Sequence, residues 1–214
     1  MAVGALANTG QNCIASKRIF VHQKIYKPFV EALIEVAKTL QVGDPSDKDT
    51  KLGPIQNAMQ YEKVKSLFVD AKNRGYKFLG SSDIKESSGY YIQPTFIDNP
   101  PDDSRVVVEE AFGPIVPCLS WSKEEEVIRR ANDTKAGLAA SIWGKDLDRC
   151  RRIADRIEAG SVFINKGSLP DLEAAFGGWG ESGLGYEWGP NGIKAYMKMQ
   201  VRHEAKPGAK SPFA

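Results

Sequence analysis

Apolar residues recur at helical spacing three times along the chain: Phe29, Leu33, Val36 and Leu40; Tyr61, Val64, Phe68 and Ala71; Leu147, Cys150, Ala154 and Ile157. Each stripe predicts a helix with one buried face. Pro28 suits the first turn of the first helix and Gly43-Asp44-Pro45 closes it, while Asn73-Arg74-Gly75 and Gly160 end the other two. A fourth helix is predicted where Ser122 and Glu125 form a capping box ahead of Val127, Ile128 and Ala131. Short runs of β-formers lie between: residues 18–22, 76–79, 90–97 and 115–119, then Ser161-Val162-Phe163-Ile164-Asn165, which reads as a buried strand. Pro94 places the third run at an edge or bulge. Helices alternating with short apolar strands predict an α/β fold, a layered, mostly parallel sheet with flanking helices.

Length and composition narrow the picture without adding chemistry. A chain of 214 residues carries one sizeable core, expected over residues 1–205, with residues 206–214 a Pro/Gly/Lys-rich disordered tail. The net charge of +2 points to no nucleic acid. No apolar run is long enough for a membrane span and no signal peptide is visible, so a cytoplasmic protein with no membrane partner is expected. Cys13, Cys118 and Cys150 show no C-x-x-C pairing, which suggests neither a disulfide framework nor a metal site. Cys118 and Cys150 fall in apolar patterns and read as core. His22 and His203 are the only histidines, which disfavours Cys–His and Ser–His–Asp hydrolysis.

The candidate chemistry sits near the start, at Asn8-Thr9-Gly10-Gln11-Asn12-Cys13. A thiol just after a glycine turn, at a helix N-terminus, is placed to ionise and act as a nucleophile, although a single cysteine is as easily a small core residue. Three further stretches follow: Glu109-Glu110-Ala111-Phe112-Gly113-Pro114, Gly137-Leu138-Ala139-Ala140-Ser141-Ile142, and Phe176-Gly177-Gly178-Trp179-Gly180-Glu181-Ser182-Gly183-Leu184-Gly185.

In that order and spacing, the four stretches resemble the signatures of the aldehyde dehydrogenase superfamily, over residues 4–202. Ala136, Ala175 and Gly180 depart from the usual tyrosine, proline and lysine. The resemblance implies the family's catalytic half, with Cys13 attacking a small-molecule carbonyl substrate and its own N–H helping to hold the oxyanion. It implies NAD(P) as the family cofactor, with Glu110 at the position that grips the nicotinamide ribose; Glu110 is alternatively a loop carboxylate in an ion pair. Phe112 either lines the mouth of the site or packs. Asn165 either bonds the strand ends or holds the cysteine loop, and Asn8 and Gln11 fix that loop. The family's nucleotide domain, general base and oxyanion asparagine match nothing here, so this chain is expected to bind no cofactor by itself. Gly183, Gly185 and Gly189 lack the dinucleotide spacing. The resemblance also makes residues 195–202 an oligomerisation strand, implying a homodimer or higher homo-oligomer. Three readings stay open: a truncated, cofactor-independent thiol enzyme; the catalytic part of a dehydrogenase whose cofactor domain is supplied elsewhere; and a non-catalytic interaction module.

Overall fold

The computed structural model describes residues 1–85, 87–167 and 171–210. Its centre is a four-stranded sheet in the order β1 (Ile19–His22), β4 (Ile115–Trp121), β3 (Thr95–Asp98), β2 (Phe78–Gly80). β1 and β3 both run parallel to β4, and β2 closes one edge antiparallel. Side chains on a strand alternate faces, and this sheet is apolar on both. Ile19, Val21, Phe96, Val116 and Cys118 pack on one side against α1 (Ala2–Leu6) and α2 (Tyr26–Lys38). Ile97, Ile115 and Leu119 pack on the other against α3 (Ala58–Asn73) and α4 (Arg105–Val108). The result is the layered, mostly parallel α/β architecture expected.

Local chemistry explains most boundaries. Asn57 caps α3, its side chain accepting from Gln60 N, and Gly75 adopts φ +71° just past the end. Tyr26, at the start of α2, ties that helix to the sheet: its hydroxyl lies 2.7 Å from Asp98 Oδ1 and 2.9 Å from Cys118 O. α2 buries Val30, Leu33 and Ala37 and leaves Val36 exposed, a face rotated slightly from the expected stripe. α5 (Glu124–Asn132) is capped at Lys123 without a side-chain bond, so the predicted Ser122 capping box does not form. The Ser122 hydroxyl lies beside Glu126 instead.

The remainder forms a second region. β6 (Ala139–Ile142) pairs parallel with β7 (Ser161–Ile164), and the two-residue strands β5 (Ala136–Gly137) and β8 (Trp179–Gly180) pair antiparallel. α6 (Leu147–Ala154), capped by the Asp146 side chain, covers this unit and buries Cys150. Ion pairs stitch it to α5: Arg149 to Glu124 at 2.8 Å and Arg156 to Glu125 at 2.5 Å. Trp121 sits at the seam, edge-on to His22 at 4.7 Å and under the Arg149 guanidinium. Trp143 and Trp179 lie half in solvent, and Trp188 precedes α7 (Gly189–Lys194).

One expectation is corrected here. β7 is half-exposed along its whole length rather than buried, with α6 and β6 as its main neighbours among the described elements. Residues 195–202 form no strand: they are exposed, and no described segment offers them a ladder to join. Beyond them residues 206–210 are exposed and make one turn, Ala209 N to Lys206 O, while residues 211–214 of the expected tail lie outside the described residues. Between β1 and β6 opens a cavity of about 1080 Å³, lined by every residue of both strands. The edge of β1 that faces it is paired with no described strand.

Candidate active site

The cysteine loop is held by its backbone. Asn8 and Thr9 take left-handed conformations, φ 52° and 58°, and Gly10 follows at φ +74°. Left-handed backbone is strained for residues with a side chain and persists where surrounding contacts enforce it. Those contacts come from residues 53–56. The buried Thr9 hydroxyl donates to Gly53 O at 2.9 Å, Gln11 Nε2 donates to Pro54 O at 3.1 Å, and Gln11 Oε1 accepts from Gln56 N at 2.8 Å. Asn8 Nδ2 closes the loop on Gln11 O at 2.9 Å. Asn8 and Gln11 thus act on the loop, as expected.

Gly10 also brings two motifs together. A Cβ at that position would lie 2.5 Å from Gly113 O, so only glycine lets the cysteine loop rest on the loop that carries Glu110 and Phe112. From α3, Gln60 Nε2 donates to Ala111 O at 2.7 Å and to Phe112 O at 3.2 Å, fixing this second loop.

Cys13 is exposed and opens onto the cavity, whereas Cys118 and Cys150 are buried. Burial pushes the Cys118 thiol up to about 12, aided by the Asp98 charge. The expected helix N-terminus at Cys13 is absent. Residues 12–15 form a turn, closed by Ala15 N to Asn12 O at 3.0 Å and by Ile14 N to Asn12 Oδ1 at 3.2 Å. No helix dipole therefore acts on the sulfur, which lies 3.7 Å from Asn12 Oδ1. The N–H of Cys13 has no acceptor among the described residues.

Lys17, which pattern reading passes over, lines the same cavity as Cys13. Its half-buried ammonium donates to Gly10 O and lies 4.8 Å from the centre of the Phe112 ring. Desolvation pulls it down to about 8 from the usual 10.5, against the opposing pull of Glu110 and Cys13 and with a further push from Lys63. Arg18 points the other way and binds the C-terminal carbonyls of α5, with Nη2 2.8 Å from Ala131 O and Nη1 3.0 Å from Arg130 O. Favourable charge at a helix C-terminus explains that placement.

The third and fourth motifs meet through β5 and β8. Gly137 N donates to Ser182 Oγ at 2.9 Å, and Glu181 N to Lys135 O at 2.7 Å. Cys13, Glu110, the residues of β6, and Ser182 all border the one cavity, so all four motifs reach it. Phe112, Asn8, Gln11 and Asn165 do not line it. Phe112, at φ 47°, serves as the platform under Lys17. Asn165 bonds Gly144 with both amide atoms, at 2.8 and 2.7 Å, so of its two expected roles it takes the strand end and not the cysteine loop. Glu110 is exposed, and the ion pair belongs to its neighbour: Glu109 grips Arg105 at 2.6 and 3.1 Å, which holds the Glu109 carboxyl below its ordinary range.

Glu110, which the resemblance sets at the nicotinamide ribose, borders the cavity. Gly183 and Gly185 have open space where a Cβ would sit, so they form no close cradle for a pyrophosphate. No cluster of metal-binding side chains occurs among the described residues.

Motif order, cavity and fold agree with one family. Residues 1–201 match the aldehyde dehydrogenase family, and the chain belongs to it. It is 39% identical over 197 residues to 2-aminomuconic 6-semialdehyde dehydrogenase of Pseudomonas sp., covering 90% of this chain and 40% of that protein. It is 35% identical over 215 residues to betaine aldehyde dehydrogenase of Brucella anthropi, covering 99% and 44%. The NAD+ complex of aldehyde dehydrogenase from Bacillus cereus superposes with a TM-score of 0.87 at 36% identity, over 92% of this chain and 40% of that one. The chain thus spans about two fifths of the length of these relatives.

Proposed function

We propose that this chain carries the thiol chemistry of its family: Cys13 attacks a small aldehyde or related carbonyl, imine or acyl substrate bound in the cavity. The thiolate forms the C–S bond, the carbonyl pair moves onto oxygen, and the unpaired Cys13 N–H donates to the oxyanion. The observation that carries this reading is the exposure of Cys13 alone among the three cysteines, at a cavity that all four motifs border. The proposed step needs no NAD(P)-dependent oxidation by this chain, to whose cavity the resemblance brings Glu110 as the ribose-binding residue.

An activated ester tests the nucleophile without any cofactor. The expected result is a stoichiometric burst of leaving group as the acyl group passes to sulfur, absent in Cys13→Ala. An undiminished burst in that variant would overturn the assignment by placing the nucleophile elsewhere, and no burst from the native chain would favour a non-catalytic interaction module. A second reading has its own support. Relatives are more than twice as long, and one solved relative binds NAD+, so the chain also fits the catalytic part of a dehydrogenase whose cofactor-binding part lies elsewhere. Titration calorimetry with millimolar NAD+ separates the two: no saturable heat is expected from this chain, and saturable binding with aldehyde-dependent NADH formation would restore the second reading.

A further inference from the structure

We infer that Lys17 is a positioning residue of the candidate site, a cation that clips the cysteine loop to the Phe112 loop and holds positive charge beside the Cys13 sulfur. The inference rests on the reading of Cys13 as nucleophile.

Three contacts of different kinds converge on this one side chain. Its ammonium donates to Gly10 O, the carbonyl at the turn where the cysteine loop meets Gly113. It lies over the face of Phe112, where a cation is attracted by the ring's negative face. It shares the cavity wall with Cys13 and Glu110, and both of those groups act on its charge. A lysine of purely structural use would extend its head into water, since a buried ammonium is costly. This one stays half-buried and is depressed to about 8, so desolvation works against its charge at neutral pH.

The charge of Lys17 is thus held against a desolvation cost. Its folded value lies below 10.5, so between about 8 and 10.5 the unfolded chain binds more protons and stability rises with pH. Burying the charged form at neutral pH is a net cost, and an uncharged side chain of similar shape relieves it. The groups facing Lys17 are Glu110, Cys13 and, from α3, Lys63. Glu110 and Cys13 favour its charge, and Lys63 opposes it. With the dipole of a helix missing at Cys13, Lys17 is a cation that borders the cavity together with the sulfur.

The test is the rate of Cys13 alkylation by limiting iodoacetamide as a function of pH, mapped by mass spectrometry in the full chain, for native, Lys17→Met and Lys17→Arg. A neighbouring cation favours an ionised group by about ten-fold or more. Lys17→Met is expected to be alkylated about 5–10-fold more slowly near pH 7 and to converge with native above about pH 9, where native Lys17 has lost its proton. Lys17→Arg should keep the native rate near pH 7 and exceed native above about pH 9, because arginine stays charged. The melting temperature of Lys17→Met near pH 7 should be unchanged or higher. A native rate in Lys17→Met, or a slowing equal at every pH, would overturn the inference, the second because it signals altered access and not charge. Labelling that maps first to Cys118 or Cys150 would instead overturn the reading of Cys13 itself.

Discussion

The four-stranded sheet and the β6–β7 unit are built from similar apolar runs, yet they end in different environments. In the first, Leu67, Phe96 and Leu119 are at 0% exposure, and helices from the same chain cover both faces. In the second, every residue of β6 and β7 is half-exposed, and among the described residues Cys150, at 4%, is the one buried apolar side chain. The lesson is that an apolar strand is buried only as far as neighbouring elements reach over it. Here one region closes its own core, and the other leans on the first through ion pairs and the seam at Trp121. The cavity lies between them, bordered by motifs from both.

The sharpest way to break this contrast is a matched pair of truncations. Leu67→Ala, in the closed core, is expected to lose about 2–5 kcal/mol in chemical denaturation, as large-to-small core changes do. Ile142→Ala, on half-exposed β6, should lose less than half of that; equal losses would erase the distinction. Next comes the junction that holds the site to the closed region. Gly10→Ala forces a side chain into left-handed backbone and against Gly113 O, and about 1–3 kcal/mol of destabilisation is expected together with slower Cys13 alkylation. A variant as stable and as reactive as native would show that the two loops need no such close approach.

Amide exchange then sharpens the comparison without mutation. Protection in β3 and β4 should follow global unfolding, while β6 and β7 exchange earlier through local opening. Uniform protection would make the two regions one cooperative unit. The smallest effect concerns the end of the chain. Tyr196, Met197, Met199 and Val201 are exposed, and we expect them to drive self-association. Light scattering should show a dimer or larger species for the full chain and a smaller one for a version ending at Lys194. A monomer in both would refute this, with little change expected in the melting temperature either way.

Much of the closed region can be read from residue pattern, because amphipathic period and strand alternation are local signals of which face is buried. The α3 stripe of Val64, Phe68 and Ala71 is buried as spaced. The half-burial of β7 is not legible in this way: Val162, Phe163 and Ile164 read as core whether or not a neighbour covers them. Residues 195–202 pair with no described strand of this chain, since the ladder expected there needs a partner that no local pattern specifies. Within the site, the order of the motifs points to Cys13 and Glu110, and the loop-fixing roles of Asn8 and Gln11 follow from their side-chain amides. Lys17 is not legible, because its burial depends on Phe112 and Glu110, nearly a hundred residues away. The one signal was its place between the cysteine loop and a strand, where a solvated lysine looks the same.

The placement of the indoles has a spectroscopic consequence. None of the four tryptophans lies in the closed core: Trp121 is at the seam, Trp143 and Trp179 are half in water, and Trp188 stacks loosely on Phe176 at 5.2 Å. Intrinsic tryptophan emission therefore reports mainly on the open region, the cavity and the Trp121 end of β4, while the interior of the buried sheet contributes no indole. A thermal melt followed by emission would register loosening of β6 and β7 while far-ultraviolet circular dichroism still recorded intact helices, and the gap between the two curves would measure how far the regions unfold apart.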